Sequence, residues 1–203
     1  MIKLFNEQTI GDFFRINDNL LNAQLDRYTD IETADPDRLS ESISDMFKIK
    51  VPFLVTEDIK AIPTLEGRPG NSFSPATFAI PNKIYEVAVV TYLIPFIGDP
   101  RLFSLQPSRF SSRSFPISID NDGIHFKIYT EYANLNLSDE VKATVLSQAQ
   151  SIIDFINNNL QQLVIDCDEY NANLKTRIKQ AIEEKLASIN QLKKLSNDLN
   201  PLR

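Results

Sequence analysis

Cysteine, histidine and tryptophan are almost missing from this 203-residue sequence, which has one cysteine, one histidine and no tryptophan. A single thiol excludes an intrachain disulfide, and one thiol with one histidine cannot supply a Cys/His zinc site. We therefore expect no metal and no cofactor. The lack of disulfides favours a cytoplasmic location.

Long hydrophobic runs and excess positive charge are also missing. No window approaches 18 consecutive apolar residues and the N-terminus has no signal-peptide core, so the sequence predicts neither a membrane span nor export. The net charge of −6 and the isoelectric point near 4.9 argue against a nucleic-acid-binding protein, which usually has a basic surface. The chain is nevertheless long enough to bury a core.

Glycine and proline are absent from residues 138–200, although the first 137 residues contain all five glycines and ten of the eleven prolines. These two residues are the main interrupters of helices, so their absence predicts a helical region over 138–203. Ser138 can cap the helix, with Asp139 and Glu140 in its first turn. One continuous helix would be roughly 90 Å long.

Apolar residues follow a heptad pattern along this region, from Leu146 to Leu174. A four-residue insertion then restores the pattern as far as Leu199, which is a stutter. We predict a homo-oligomer that forms through this helix, with a seam of nine residues: Ile153, Ile156, Leu160, Leu163, Tyr170, Leu174, Ile178, Ile182 and Ile189. Cys167 lies in the same pattern and is expected to be a small core residue.

Weak helix formers at 157–159 and within 166–172 leave an alternative open, in which the region folds back as a helical hairpin on its own sheet. Basic residues also cluster here, mixed with Glu183 and Glu184. This mixture favours a salt-bridged face over a nucleic-acid surface. The basic residues are Lys175, Arg177, Lys179, Lys185, Lys193 and Lys194.

Residues 1–137 are predicted to form a separate α+β domain. Helical spacing covers 9–28, and Asp35 as N-cap with Pro36 in the first turn begins a second helix. Residues 48–54 suit a short edge strand, because Pro52 excludes a central one. The proline-rich stretch 63–81 is typical of an extended loop or a joint between subdomains.

Two segments predict a small, mainly antiparallel sheet. Residues 83–96 are apolar on both faces, which suits a strand covered on both sides. Residues 114–132 alternate around Asp120-Asn121-Asp122-Gly123, which predicts a hairpin. The fold class is therefore α+β: N-terminal helices, this sheet, and a long C-terminal helix or helical hairpin.

A loop between the two segments contains arginines and serines beside Gly98. Such groups can bind an anion, although the spacing matches no known phosphate-binding motif. One hypothesis is therefore a sensor of a small nucleotide-type ligand that uses residues 98–113, with Arg101, Arg109 and Arg113 as ligand-binding residues.

The run PFIGDPRLFSLQPS at 95–108, followed by INNNLQQL, EYNANL and KLSNDLNPLR, resembles a region of multidomain bacterial anti-phage defence proteins. That region lies at the N-terminus of restriction-nuclease-like or TIR-type effectors. The resemblance implies an adaptor or assembly region whose catalytic module would begin near residues 199–202. The sequence ends at Arg203, so we expect no catalytic module and transfer no catalytic residue.

The remaining residues do not predict catalysis. His125, the single histidine, falls on the polar side of a predicted strand, and no Glu-x-Lys of a metal-dependent nuclease lies on the strong strands. We therefore predict a non-enzymatic interaction or assembly module. Its expected partners are a second copy and an effector protein or domain, without membrane or nucleic acid.

Overall fold

The computed structural model describes residues 4–28, 31–73, 77–110 and 115–200. In these ranges the chain is an α+β protein with three α-helices: α1 (Ile10–Arg27), α2 (Pro36–Phe47) and α3 (Asp139–Asp198). It has eight strands: β1 (Gln8–Thr9), β2 (Phe53–Leu54), β3 (Lys60–Pro69), β4 (Ile84–Ile94), β5 (Phe96–Ile97), β6 (Leu105–Gln106), β7 (Ile117–Ile119) and β8 (Ile124–Tyr129). The predicted fold class is confirmed.

The chain divides into two compact units that do not follow the predicted boundary at 137/138. The first unit comprises Met1–Gln8 and Val51–Gln162, and the second comprises Thr9–Lys50 and Leu163–Arg203. Helix α3 thus contributes residues to both units. The reason is that the N-terminal helices belong with the second half of α3, and the sheet belongs with the first half.

The first unit is built on a four-stranded antiparallel sheet of order β3-β4-β8-β7. Strand β4 is central, and its four consecutive residues Val87 to Val90 are all buried. Consecutive burial requires cover on both faces, because successive side chains of a strand point to opposite sides. The prediction of a doubly covered strand is therefore confirmed for this part of β4.

Strands β7 and β8 form the predicted hairpin. The Asp120 carboxylate Oδ1 accepts hydrogen bonds from the backbone N–H groups of Asp122 and Gly123, at 2.9 and 3.2 Å. Gly123 has a φ of +153°, which L side chains rarely adopt. The predicted hairpin is confirmed; of its turn residues Gly123 has a positive φ and Asn121 does not.

The predicted joint at 63–81 was wrong over its first seven residues. Residues 60–69 form strand β3, which pairs with β4 along its full length from Lys60↔Leu93 to Pro69↔Ile84. Strand β3 lies at the edge of the sheet, where proline is tolerated. A short 3-10 turn follows at Gly70–Ser72, and residues 74–76 lie outside the described ranges.

Phenylalanine rings form the core beside this sheet. Phe155 of α3 packs edge-on against Phe5 and Phe115, with ring centroids 6.1 and 5.2 Å apart. Phe103 packs similarly against Phe96 at 4.9 Å. Only Phe53–Leu54 of the predicted strand 48–54 forms a strand, β2, which pairs with β5.

The second unit contains α1, α2 and the second half of α3. The Thr9 hydroxyl accepts a hydrogen bond from the Asp12 N–H at 3.1 Å, and the Asp35 carboxylate caps α2 through the Asp37 N–H at 3.0 Å. Both predicted helix starts are confirmed. The core includes Leu21, Leu25, Leu39, Ile43, Leu174, Ile178 and Ile182, which are all buried.

Helix α3 is continuous over its 60 residues, so the helical-hairpin alternative is wrong. The Ser138 hydroxyl accepts a hydrogen bond from the Val141 N–H at 3.4 Å, as expected for its cap. The asparagine triplet does not break the helix. Asn159 is buried, and its side-chain amide donates to the Phe155 carbonyl at 2.8 Å within the helix.

Candidate functional site

The predicted oligomerisation seam is mostly buried within the single chain. Eight of its nine residues, from Ile153 to Ile182, are buried, and Ile189 is partly exposed. Leu146, at the start of the heptad pattern, is 61% exposed, while Val145 is buried in its place. Oligomerisation through the seam stays a prediction, but most of the seam already has cover inside the chain.

An exposed apolar stripe continues beyond the buried part of α3. Leu192, Leu195 and Leu199 are 64%, 54% and 71% exposed. Together with Ile189 they recur every three or four residues, as on one side of a helix, and we name these four residues the terminal stripe. The Leu199 N–H donates to the Leu195 carbonyl at 3.0 Å, so helical hydrogen bonding extends to the end of the stripe.

Five basic residues of α3 are paired with carboxylates of the second unit. Lys179 contacts Asp37 at 2.6 Å, and this hydrogen bond lowers the pKa of the Asp37 carboxyl below its ordinary value. In four more ion pairs the basic residue is also on α3 and the acidic residue lies elsewhere in the second unit: Lys175 with Glu41, Arg177 with Asp18, Lys185 with Asp26 and Lys193 with Glu32. The predicted salt-bridged face is confirmed for these five residues.

The structure describes two of the three predicted ligand-binding arginines of the 98–113 loop. Arg101 contacts Asp99 at 2.6 Å, and the hydrogen bond from Arg101 lowers the pKa of the Asp99 carboxyl. Arg109 is exposed. Arg113 lies outside the described residues, so the predicted trio stays untested as a set.

Cys167 is a buried residue of α3, and His125 is a residue of β8 near the hairpin turn. Cys167 is buried, and burial raises the pKa of its thiol to about 12, which makes it a poor nucleophile near neutral pH. His125 Nε2 lies 3.0 Å from Asp120 Oδ1 in the hairpin turn. Within the described ranges, no group of three or more His, Cys, Asp or Glu residues could hold a metal ion.

A cleft in the first unit was missed by the sequence analysis. It has a volume of about 370 Å³ and lies between Arg68 of β3, residues 129–132 at the end of β8, and residues 140–148 of α3. Arg68 falls in the stretch that was predicted to be a joint. Only the pairing of β3 with β4 places its side chain on the sheet, so no local sequence signal identifies this cleft.

Comparison with known proteins gives no match among family models, curated protein sequences or solved structures. In the part of the chain that the structure describes, no helix combines the length and the apolar character needed to cross a membrane. Function is therefore inferred from the chain's own surfaces.

Proposed function

We propose that this protein is a non-enzymatic interaction and assembly module, and that the terminal stripe of α3 binds a second copy of the chain. The observation that carries the proposal is the exposure of Leu192, Leu195 and Leu199 along one side of the helix. Exposed apolar side chains that recur at helical spacing are typical of a surface that buries itself against another helix.

The charge pattern around the stripe favours a second copy in antiparallel orientation. Glu183 and Glu184 lie at one end of this stretch and Lys194 lies at the other, while Lys193 is already paired with Glu32. Antiparallel pairing brings the acidic end of each helix beside the basic end of its partner, whereas parallel pairing places like charges together. Opposite-charge contacts of this kind select orientation more than they add affinity.

The expected dimer is weak. A standard protein interface buries about 800 Å² on each partner, and four side chains on one helix bury less than that. A weak dimer suits a module whose assembly depends on concentration or on a linked partner.

The resemblance to anti-phage defence proteins supports an effector protein or domain as the further partner. This part of the proposal rests on the motifs at 95–108 and along α3 alone. The sensor hypothesis for residues 98–113 has less support, because Asp99 already neutralises Arg101. For that hypothesis, Arg109→Ala should abolish a thermal shift caused by a nucleotide, and the absence of any shift with the unmodified protein would remove the idea.

Sedimentation velocity tests the assembly proposal. The unmodified protein should show a concentration-dependent increase in mass between about 10 µM and 1 mM, the range expected for a weak complex. The double variant Leu192→Glu/Leu199→Glu should remain a monomer, because it places charge in the apolar contact. Leu146→Glu is the matched control, since Leu146 is equally exposed on α3 but lies outside the stripe. A strict monomer throughout would refute the proposal.

A further inference from the structure

The cleft beside Arg68 combines one cationic group, two carboxylates and two phenol rings. Its lining includes Arg68, Tyr129, Glu131, Tyr132 and Glu140. Both tyrosines are partly exposed. The volume of about 370 Å³ lies within the usual range of small-molecule sites, which is about 300–1,000 Å³.

Arg68 is held firmly at one side of this cleft. Its Nε donates to the Ser72 hydroxyl at 3.1 Å, and its Nη2 donates to the Ser72 carbonyl. The guanidinium carbon lies 4.6 Å from the ring centre of Phe73 and 5.5 Å from that of Tyr129. These contacts fix the plane of the guanidinium and occupy its Nε–Nη2 edge. The Nη1–Nη2 edge is left to bind a carboxylate through two parallel hydrogen bonds.

The charge of Arg68 is not neutralised by a neighbouring carboxylate. No ion pair between described residues includes Arg68. Glu66 lies two residues away on the same face of β3, but both of its oxygens accept hydrogen bonds from Lys127, at 2.7 and 2.9 Å. Arg68 therefore remains available to an anionic group of a ligand.

Two glutamates, Glu131 and Glu140, supply negative charge to the lining of the cleft. Glu131 follows β8, and its Oε1 accepts a hydrogen bond from the Thr77 hydroxyl at 3.2 Å. Glu140 lies in the first turn of α3. The ring of Tyr132 lies in the same lining, and aromatic faces attract cations. This part of the cleft therefore suits positively charged groups.

We propose that this cleft binds a free amino acid with a cationic side chain, such as arginine or lysine. The ligand carboxylate binds Arg68, and its two cationic groups bind Glu131 and Glu140 beside the ring of Tyr132. The ligand then carries two positive charges and one negative charge, the complement of the charged lining. This inference does not depend on the proposed assembly function.

Isothermal titration calorimetry with L-arginine and L-lysine tests the proposal. Saturable binding is expected up to about 10 mM, which covers complexes of millimolar affinity. Agmatine lacks the carboxylate and norleucine lacks the side-chain cation, so each should bind at least about tenfold more weakly. Equal binding of either analogue, or no heat with L-arginine and L-lysine, would overturn the proposal.

Two variants locate the binding in this cleft. Arg68→Gln should weaken L-arginine binding about tenfold or more while leaving agmatine binding unchanged. Glu140→Gln should weaken both, and because Glu140 is exposed on the first helical turn it should not disturb folding. Glu57→Gln is the control, since Glu57 is an exposed glutamate of the same unit outside the cleft. Loss of binding in the control, or full binding in both cleft variants, would contradict the assignment.

Discussion

The side-chain amide of Asn171 is hydrogen-bonded to both backbone polar groups of Ile49. Its Nδ2 donates to the Ile49 carbonyl at 2.8 Å, and its Oδ1 accepts from the Ile49 N–H at 3.0 Å. The amide thus reproduces the paired hydrogen bonds of an antiparallel ladder. These two hydrogen bonds attach the segment that follows α2 to helix α3.

We predict that Asn171→Ala destabilises the second unit by about 2 kcal/mol, because it leaves the largely buried N–H and carbonyl of Ile49 without partners. Urea denaturation followed by circular dichroism measures the change. Asn173→Ala is the control, since the exposed Asn173 amide bonds only within the helix among the described contacts, at 3.1 Å to the Glu169 carbonyl. Alanine is the better helix former, so Asn173→Ala should be neutral or slightly stabilising, and an equal change in Asn171→Ala would show that the hydrogen bonds to Ile49 contribute nothing.

Asn171 also explains why the continuity of α3 was not settled by sequence. Asparagine costs a few tenths of a kcal/mol in a helix relative to alanine, so several of them predict a weak point. Asn159 and Asn171 are bonded in the folded chain, and the Asn171 contacts join residues 122 positions apart. Contacts of that separation carry no local signal, whereas the cap at Asp35 is local and was predicted correctly.

The sequence also does not show which residues bury the apolar side of α3. The heptad pattern correctly marked Ile156, Leu174 and Ile178 as apolar positions that become buried. Periodicity states which side of a helix is covered but does not state what covers it. The sequence left a second copy and the chain's own sheet open as the cover, while in the second unit α1 and α2 supply carboxylates to the flanking lysines.

The Asp37–Lys179 pair should make stability depend on pH in the acidic range. The pKa of Asp37 is lowered from 3.8 by the hydrogen bond from Lys179. A lowered pKa means that the folded state favours the carboxylate, so the stabilisation is present above pH 3.8 and is lost as pH falls through the lowered pKa.

We therefore expect Lys179→Gln to lower stability slightly near neutral pH and to make no difference once Asp37 is protonated. Urea denaturation of both proteins across this pH range measures the difference. Lys194→Gln provides the comparison, because Lys194 lies on the same helix and forms no ion pair with a described residue. A pH-independent loss in Lys179→Gln would show that the contribution is packing rather than charge.

Pro63 and Pro69, which contributed to the prediction of a joint, lie in β3 at positions where an edge strand tolerates proline. The Thr130 N–H donates to the Ala88 carbonyl at 3.0 Å, so even-numbered residues of β4 bond toward β8. Odd-numbered residues of β4 therefore bond to β3, and each of them lies opposite an even-numbered residue of β3, as Val89 lies opposite Thr64. Pro63 and Pro69 are odd-numbered, so they face outward, where their missing N–H groups cost no ladder bond.

We predict that Pro63→Ala increases aggregation, because it adds an N–H donor to the open edge and restores a template for strand pairing. Light scattering during mild heating measures this, with thioflavin binding as a test for β-structure. Pro81→Ala, in the connection between β3 and β4, is the control for the general effect of losing a proline on the unfolded chain. Similar aggregation of the two variants would refute the edge-protection argument.

Two glycine-to-alanine substitutions should have opposite signs. At Gly123 the backbone φ is +153°, and an added Cβ would lie 2.5 Å from the Ile94 carbonyl oxygen, so neither the conformation nor the space accepts a side chain. We expect Gly123→Ala to destabilise the hairpin by about 2 kcal/mol.

At Gly11, in the first turn of α1, the added atom would lie 4.0 Å from the Thr9 hydroxyl. Gly11→Ala should stabilise the chain by up to about 1 kcal/mol, since alanine loses less conformational freedom in a helix. Urea denaturation of the two variants decides the matter, and a stabilising Gly123→Ala would contradict the turn described for residues 120–123.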